Sequence, residues 1–275
     1  MTDFPRAAVL GNPIGHSLSP KLHNYWLQRY GIAGQYEAMD VSKDALESTL
    51  QSLPDQGFIG ANVTIPHKVS VMQLAHHVTD RATLVGAANT LIFKDDGRIF
   101  ADNTDGYGFI ANMRQEVPDW DAKAGPAVIF GAGGAARAII VALADVGVPE
   151  IRLANRTRLK AEALKAEFGA RIQVSDWVQA GSMLAGAATV VNTTSLGMKG
   201  AQDFKVPLDE LASDAVVTDI VYNPLRTQFL DAAAEIGCRT VDGLGMLLHQ
   251  GVPGFERWFG TRPEVDEATR RAVLA

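Results

Sequence analysis

Residues 127–137 read Ala-Val-Ile-Phe-Gly-Ala-Gly-Gly-Ala-Ala-Arg, and this stretch constrains the fold more than any other. A strand, a tight turn and a helix must follow one another within it. Gly131 permits the turn, Gly133 lets the backbone approach a pyrophosphate, and Ala136 replaces a third glycine where helix meets strand. The helix start then offers free N–H groups and a positive dipole end to phosphates. Gly131, Ala132, Gly133, Gly134 and Ala135 are therefore candidate nucleotide contacts. Short apolar runs alternate with helical patterns along almost the whole chain, which predicts an α/β architecture with largely parallel sheets.

Before the glycine-rich turn, Ala7 to Gly11 reads as a first strand. Ser19-Pro20 opens a helix, with serine suited to the N-cap and proline to the first helical position, and Gly31 ends it. Strands are expected near 35–40 and 57–63, with a helix near 42–52 between them. Pro66 is expected to start a helix carrying His67 and Lys68 on its first turn. Residues 88–93 and 98–101 read as a hairpin around Asp95-Asp96-Gly97, and a helix follows from Asp105 to about Glu116. Residues 118–126 read as a linker. Beyond it come helices at 134–146, 157–168 and 227–236, and strands near 150–154, 170–174, 187–192 and 215–220. From about 243 onward the chain is helical, with interruptions expected at Gly251 and Pro253-Gly254.

A length of 275 residues suits about two domains. Net charge is −6 with no basic block, so no nucleic-acid partner is expected. No apolar run approaches the ~18 residues of a membrane span, and the N-terminus does not read as a signal peptide. The single cysteine, Cys238, reads as a small apolar residue at the start of a buried strand, and these features suit a cytoplasmic protein. The histidines form no metal-ligand spacing, so no metal is expected.

The end of the strand at 150–154 bears on cofactor choice. A carboxylate there accepts from the ribose 2′-hydroxyl of NAD. This chain has Asn155-Arg156-Thr157-Arg158 instead, whose guanidinium groups suit a 2′-phosphate. NADP is expected over NAD. In the first half, four polar clusters lie at or near expected strand ends: Ser17 and Ser19; Asn62, Thr64 and Lys68; Asn89; and Asp105. Such groups suit a polyhydroxylated ligand. Each has a plainer role open to it, as helix cap (Ser19, Asp105), solvated lysine (Lys68) or turn residue (Asn89).

Taken in order, the segments GNPIGHSLSPKLHN (11–24), NVTIPHK (62–68), Gly86–Thr90, NTDGYG (103–108), Gly131–Arg137, NRT (155–157), NTTSLGM (192–198), Asp219–Leu230 and DGLGMLLHQ (242–250) resemble the shikimate dehydrogenase family. The resemblance implies a substrate domain at 1–105 and 239–275, with the final helices packed back on the first half, and a Rossmann-type NADP-binding domain at 106–238. It implies that Ser17 and Ser19 hold a substrate carboxylate. Asn62, Thr64, Asn89, Asp105 and Gln250 would contact ring hydroxyls with Tyr222 nearby, and Lys68 and Asp105 would be the catalytic pair. Asn155, Arg156 and Thr157 would meet the adenosine 2′-phosphate, and Thr193, Met198, Ile220 and Gly243 would lie along the cofactor. The chain departs locally from the family pattern at Gly251-Val-Pro-Gly254 and at Arg226.

The implied reaction is NADP-dependent interconversion of 3-dehydroshikimate and shikimate, on the route to chorismate and aromatic amino acids, by a monomer or homodimer. In it the cofactor carries the hydride, and a lysine beside the reacting oxygen stabilises negative charge and donates the proton. Two rivals stand beside it: an NAD-using enzyme that also oxidises quinate, and a non-catalytic nucleotide sensor on the same fold.

Overall fold

The computed structural model describes residues 4–275. The chain divides into two compact units. One holds the residues up to Gly108 together with Leu247–Ala275, and the other is Phe109–Met246. Two six-stranded sheets form among the described residues, one in each unit.

The first unit runs β1 (Arg6–Gly11), α1 (Ser19–Arg29), β2 (Gln35–Asp40), α2 (Leu46–Ser52), β3 (Phe58–Val63), α3 (Val71–Leu74), β4 (His77–Val78), α4 (Asp80–Val85), β5 (Thr90–Phe93) and β6 (Ile99–Asp102). Helix α5 (Asp105–Glu116) then carries the chain into the second unit. The strand order is β2-β1-β3-β5-β6-β4. β1 pairs in parallel with β2 and β3, whereas β3–β5 and β5–β6 are antiparallel. This sheet is therefore mixed: β5 runs against both β3 and β6, the latter across the hairpin around Asp95-Asp96-Gly97.

Successive residues of β1 serve different cores. Ala8 and Leu10 join one apolar cluster, Ala7 and Val9 another that includes Tyr36 and Trp258. A strand buried on both faces reads as a continuous apolar run, as this one does. The short pieces β4 and α4 had no clear periodic signature. Helix α4 is started by Thr79, whose hydroxyl accepts from the Ala82 N–H at 3.2 Å.

The second unit runs β7 (Ala127–Phe130), α6 (Gly134–Asp145), β8 (Ile151–Ala154), α7 (Arg158–Phe168), β9 (Ile172–Ser175), β10 (Thr189–Asn192), β11 (Val216–Asp219), α8 (Gln228–Ile236) and β12 (Arg239–Val241). Its strands are all parallel, in the order β12-β11-β10-β7-β8-β9. This is the doubly wound Rossmann order, with the reversal between β7 and β10. Again each strand feeds two cores: Ala127 and Ile129 go to one, Val128 and Phe130 to the other.

The boundary expected after residue 238 falls elsewhere. Arg239–Val241 pairs in parallel with β11 as the sixth strand, so the second unit continues to Met246. Cys238 precedes that strand, buried, with its thiol donating to the Ala212 carbonyl. Helix α9 (Leu244–Phe259) then returns the chain to the first unit, and α10 (Glu267–Leu274) follows. α9 is a single helix, not the interrupted one expected, and Pro253 lies inside it. A Cβ on Gly251 would stand 3.1 Å from Leu22 and 3.3 Å from His23, and one on Gly254 would stand 2.9 Å from Trp258. The glycines are close-packing positions, and burial there outweighs the ~1 kcal/mol helix penalty of each. Among the described residues no helix is long and apolar enough to cross a membrane.

Candidate active site

In the first unit, the C-terminal ends of β1, β3 and β6 meet the start of β5 along one sheet edge. Leu10 is in register with Val63, Asn62 with Thr90, and Thr90 with Asp102. Open α/β sheets bind ligands at such an edge. The residues after each strand end bring the polar side chains together.

Lys68 Nζ donates to Asp105 Oδ2 at 2.5 Å, with only 16% and 5% of the two side chains exposed. Asp105 Oδ1 accepts from Asn89 Nδ2 at 2.8 Å. Asn89 also donates to Gln250 Oε1 at 3.1 Å, and its own Oδ1 accepts from the Thr104 N–H at 2.8 Å. Thr104 Oγ1 in turn donates to the Gln250 carbonyl at 2.9 Å, tying α9 to the loop before α5. Lys68, Asn89, Asp105 and Gln250 thus form one buried network. Asp105 is the first residue of α5, yet both carboxylate oxygens are engaged by side chains, so helix capping does not account for it.

Asn62 is buried, donating to the Asn89 carbonyl at 3.1 Å and to Thr90 Oγ1 at 3.3 Å. Thr64 donates its N–H to the Leu10 carbonyl at 2.9 Å. Its methyl lies where a Cβ on Gly11 would come within 2.5 Å, which keeps Gly11 a glycine.

Two local expectations differ. Lys68 stands in a turn ahead of α3, not on the first turn of a helix from Pro66. There the His67 ring is buried with Nε2 2.7 Å from the Val41 carbonyl, and Ser70 Oγ takes up the His67 carbonyl; such side-chain bonds compete with helix formation. Ser19 is the first residue of α1 rather than its N-cap. Ser17 Oγ accepts the Ser19 N–H at 3.3 Å. His16 is exposed.

Asp102 lacked a sequence signal of its own. It is 1% exposed and accepts from Thr79 Oγ1 at 2.8 Å, from Arg81 Nε and Nη2 at 3.2 and 2.6 Å, and from the Asn103 N–H at 2.7 Å. Arg257 of α9 approaches it at 3.1 Å. Burial opposes its charge, but these donors hold its carboxyl below the usual range. Asp102 therefore anchors the start of the Asn103-Thr104-Asp105 loop.

In the second unit, Gly131 has φ +114° and a Cβ there would meet Thr193 Oγ1 at 2.5 Å. Thr193 Oγ1 donates to the Phe130 carbonyl at 2.7 Å and so closes over the turn. Nothing lies within 4 Å of a Cβ on Gly133, just before α6, leaving its N-terminal amides approachable. Ala132, Gly134 and Ala135 are half-buried around this turn. After β8, Asn155 Nδ2 donates to the Thr157 carbonyl at 2.9 Å, shaping the loop. Arg158 is committed to Glu162 and Asp176. Arg156 is exposed and has no carboxylate partner among the described residues. Such a set can hold a nucleotide with an extra phosphate.

Asn192 and Asp219, at the ends of β10 and β11, had not been singled out. Asp219 accepts from Asn192 Nδ2 at 3.0 Å, the Val221 N–H at 3.0 Å and Thr227 Oγ1 at 2.8 Å. Burial raises its pKa to about 6 against these bonds. It fixes the segments that carry Thr193 and Met198 on one side, and Ile220 and half-buried Tyr222 on the other. A Cβ on Gly243 would lie 2.4 Å from the Ile220 carbonyl, so the turn ahead of α9 packs directly on that segment.

Comparison with known proteins accords with this geometry. Residues 9–91 match the shikimate dehydrogenase substrate binding domain, 113–199 the shikimate / quinate 5-dehydrogenase model, and 243–274 the shikimate 5'-dehydrogenase C-terminal domain. A protein of Cereibacter sphaeroides named shikimate dehydrogenase (NADP(+)) is 66% identical over 272 residues, covering 99% of this chain and 98% of its own. A Thermus thermophilus shikimate 5-dehydrogenase, solved with NADP(H) and shikimate, superimposes with a TM-score of 0.86 at 36% identity, over 97% of this chain and 99% of that one. A quinate dehydrogenase from Corynebacterium glutamicum, solved with NAD, gives a TM-score of 0.90 at 31% identity over 98% and 99%. With full-length identity far above what a shared fold alone requires, the chain belongs to the shikimate dehydrogenase family.

Proposed function

We propose that this chain interconverts 3-dehydroshikimate and shikimate with NADP(H), on the route to chorismate and aromatic amino acids. The observation that carries the reading is the half-buried Lys68 paired with buried Asp105, joined to Asn89 and Gln250 in one network. The glycine turn with φ +114° at Gly131, the open approach at Gly133 and the unpaired Arg156 fit NADP. When bound, that cofactor supplies or takes up the hydride.

The chain's own residues handle the proton and the orientation. Lys68 has three N–H donors, of which Asp105 takes one, so others remain for the reacting oxygen. In the direction of reduction, the ammonium stabilises the developing alkoxide and passes it a proton. Asp105 holds the ammonium in place, Asn89 holds Asp105, Gln250 accepts from Asn89, and both amides contact ring hydroxyls. Asn62 and Thr64 line the same edge. Ser17 and Ser19 take the carboxylate, with Tyr222 as a further contact. In the second unit, Asn155, Arg156 and Thr157 bind the 2′-phosphate, the turn Gly131–Ala135 the pyrophosphate, and Thr193, Met198, Ile220 and Gly243 the nicotinamide end.

The unit up to Gly108 with Leu247–Ala275 is thus assigned to substrate and Phe109–Met246 to NADP. One chain supplies every side chain required, so a monomer or homodimer suffices, and a single cysteine suits a reducing cytoplasm. Initial rates with shikimate or quinate, each with NADP or NAD, test the reading. NADPH formation from shikimate is the expected result. Turnover of quinate with NAD alone would move the chain to its quinate-oxidising relatives, and silence in all four from protein that binds NADP would favour a sensor.

A further inference from the structure

We propose that Tyr36 is a positioning residue for the substrate, its buried hydroxyl holding Asn62 and, through it, a line of hydrogen bonds to the Lys68–Asp105 end of the site. The inference rests on the shikimate dehydrogenase reading. Tyr36 is 1% exposed on β2 and donates to Asn62 Oδ1 at 2.6 Å. From Asn62 the chain of bonds continues to the Asn89 carbonyl and Thr90 Oγ1, then through the Thr90 hydroxyl to Asn89 Oδ1. Asn89 Nδ2 finally reaches Asp105 and Gln250. Each link is a protein side chain or backbone group.

Two features show that Tyr36 sets this line rather than merely filling space. The Asn89 carbonyl fixes the Asn62 amide, because a flip would set Oδ1 against that acceptor, and Oδ1 is thereby turned to the Tyr36 hydroxyl as its donor. The ring itself cannot swing. It stacks on His23 with centroids 4.0 Å apart and planes within 5°, and Trp258 packs at 6.1 Å. Both His23 ring nitrogens are buried without a partner, so His23 contributes a flat neutral surface and no competing hydrogen bond. Phenol orientation is therefore dictated by packing, and the phenol holds Asn62 in place.

Tyr36→Phe removes only the hydroxyl and leaves Asn62 Oδ1 buried without its donor. Wild type and variant are compared by calorimetric binding of shikimate to nucleotide-free protein, by NADP binding, and by kcat and KM. Shikimate Kd and KM should rise about ten- to a hundredfold, kcat should fall less, and NADP affinity should stay the same. Because Tyr36 acts through Asn62, Tyr36→Phe with Asn62→Ala should cost less than the product of the single effects. A variant that melts earlier but binds shikimate as wild type does would make Tyr36 purely structural and overturn the proposal. Multiplicative effects in the double variant would overturn it too. Should Tyr36→Phe fail to fold, 3,5-difluorotyrosine at position 36 keeps the shape and alters the donor; unchanged shikimate affinity would then be the overturning result. Wild-type protein that neither binds nor oxidises shikimate would sink the functional reading itself. Wild-type activity with an unaffected variant would sink this proposal alone.

Discussion

Removing the Lys68 ammonium would leave Asp105 with the Asn89 amide as its side-chain donor. In the proposed reaction the ammonium acts on charge that develops in the transition state, so its loss should appear in turnover more than in binding. Lys68→Ala is expected to lower kcat by about 10²–10⁴-fold, with shikimate affinity, measured by calorimetry, changing much less. Near-wild-type turnover would remove Lys68 from the mechanism. Arg156 makes the complementary case. It is exposed and unpaired, so Arg156→Ala should leave the fold intact and remove roughly 1.5–3 kcal/mol of charged hydrogen bonding, weakening NADP about ten- to a hundredfold. An unchanged NADP/NAD preference would defeat the argument. Both residues were legible in the sequence because their charge stood in a polar loop after an apolar run. Tyr36 and Asp102 were not. Tyr36 occupies a core position on a strand, and Asp102 precedes a motif that draws attention to Asp105; their roles rest on partners 26 and 21 residues away in sequence.

At the scale of elements, Asp219 joins β10, β11 and α8 through Asn192, Val221 and Thr227. Burial raises its pKa to about 6 in the folded protein from 3.8. The folded state therefore favours the protonated acid. That contribution is full below pH 3.8 and is lost as pH rises through about 6, an effect on the order of 3 kcal/mol. Asp219→Asn can keep the acceptor facing Asn192 and Val221 but cannot titrate. Urea unfolding at several pH values should show the variant gaining on wild type between pH 4 and 7. A stability difference that stays flat across that range would rule out the burial effect. Periodicity located most of these elements, since strands buried on two faces are continuous apolar runs. It failed where packing overrode local preference. α9 runs through Gly251, Pro253 and Gly254 because small residues let Leu22, His23 and Trp26 come close. β12 belongs to the second sheet through pairing with β11, a long-range choice that composition does not encode.

For the molecule as a whole, the two units carry buried titratable groups of opposite sign. His23 and His249 belong to the first unit, and burial lowers them to about 3 and about 4. A depressed histidine contributes stability that is present above its unfolded value of 6.5 and lost as pH falls toward its folded one. For His23 the loss approaches roughly 1.4 kcal/mol per pH unit below 6.5. Charging it would place an imidazolium among Trp26, Tyr36, Phe255 and Trp258, with no carboxylate in that cluster. Asp219 belongs to the second unit and gains stability over nearly the same interval. Acidification from pH 7 to 4 should therefore weaken the first unit while sparing the second. Hydrogen exchange read separately for Phe109–Met246 and for the rest of the chain can resolve this, since local opening is reported segment by segment. Protection should fall first around α1, β2 and α9. His23→Phe, which sacrifices no hydrogen bond because neither ring nitrogen has a partner, should blunt that fall without altering exchange around β10 and β11. Equal loss of protection in both units down to pH 4 would mean that surface charge, not these buried groups, governs the acid response.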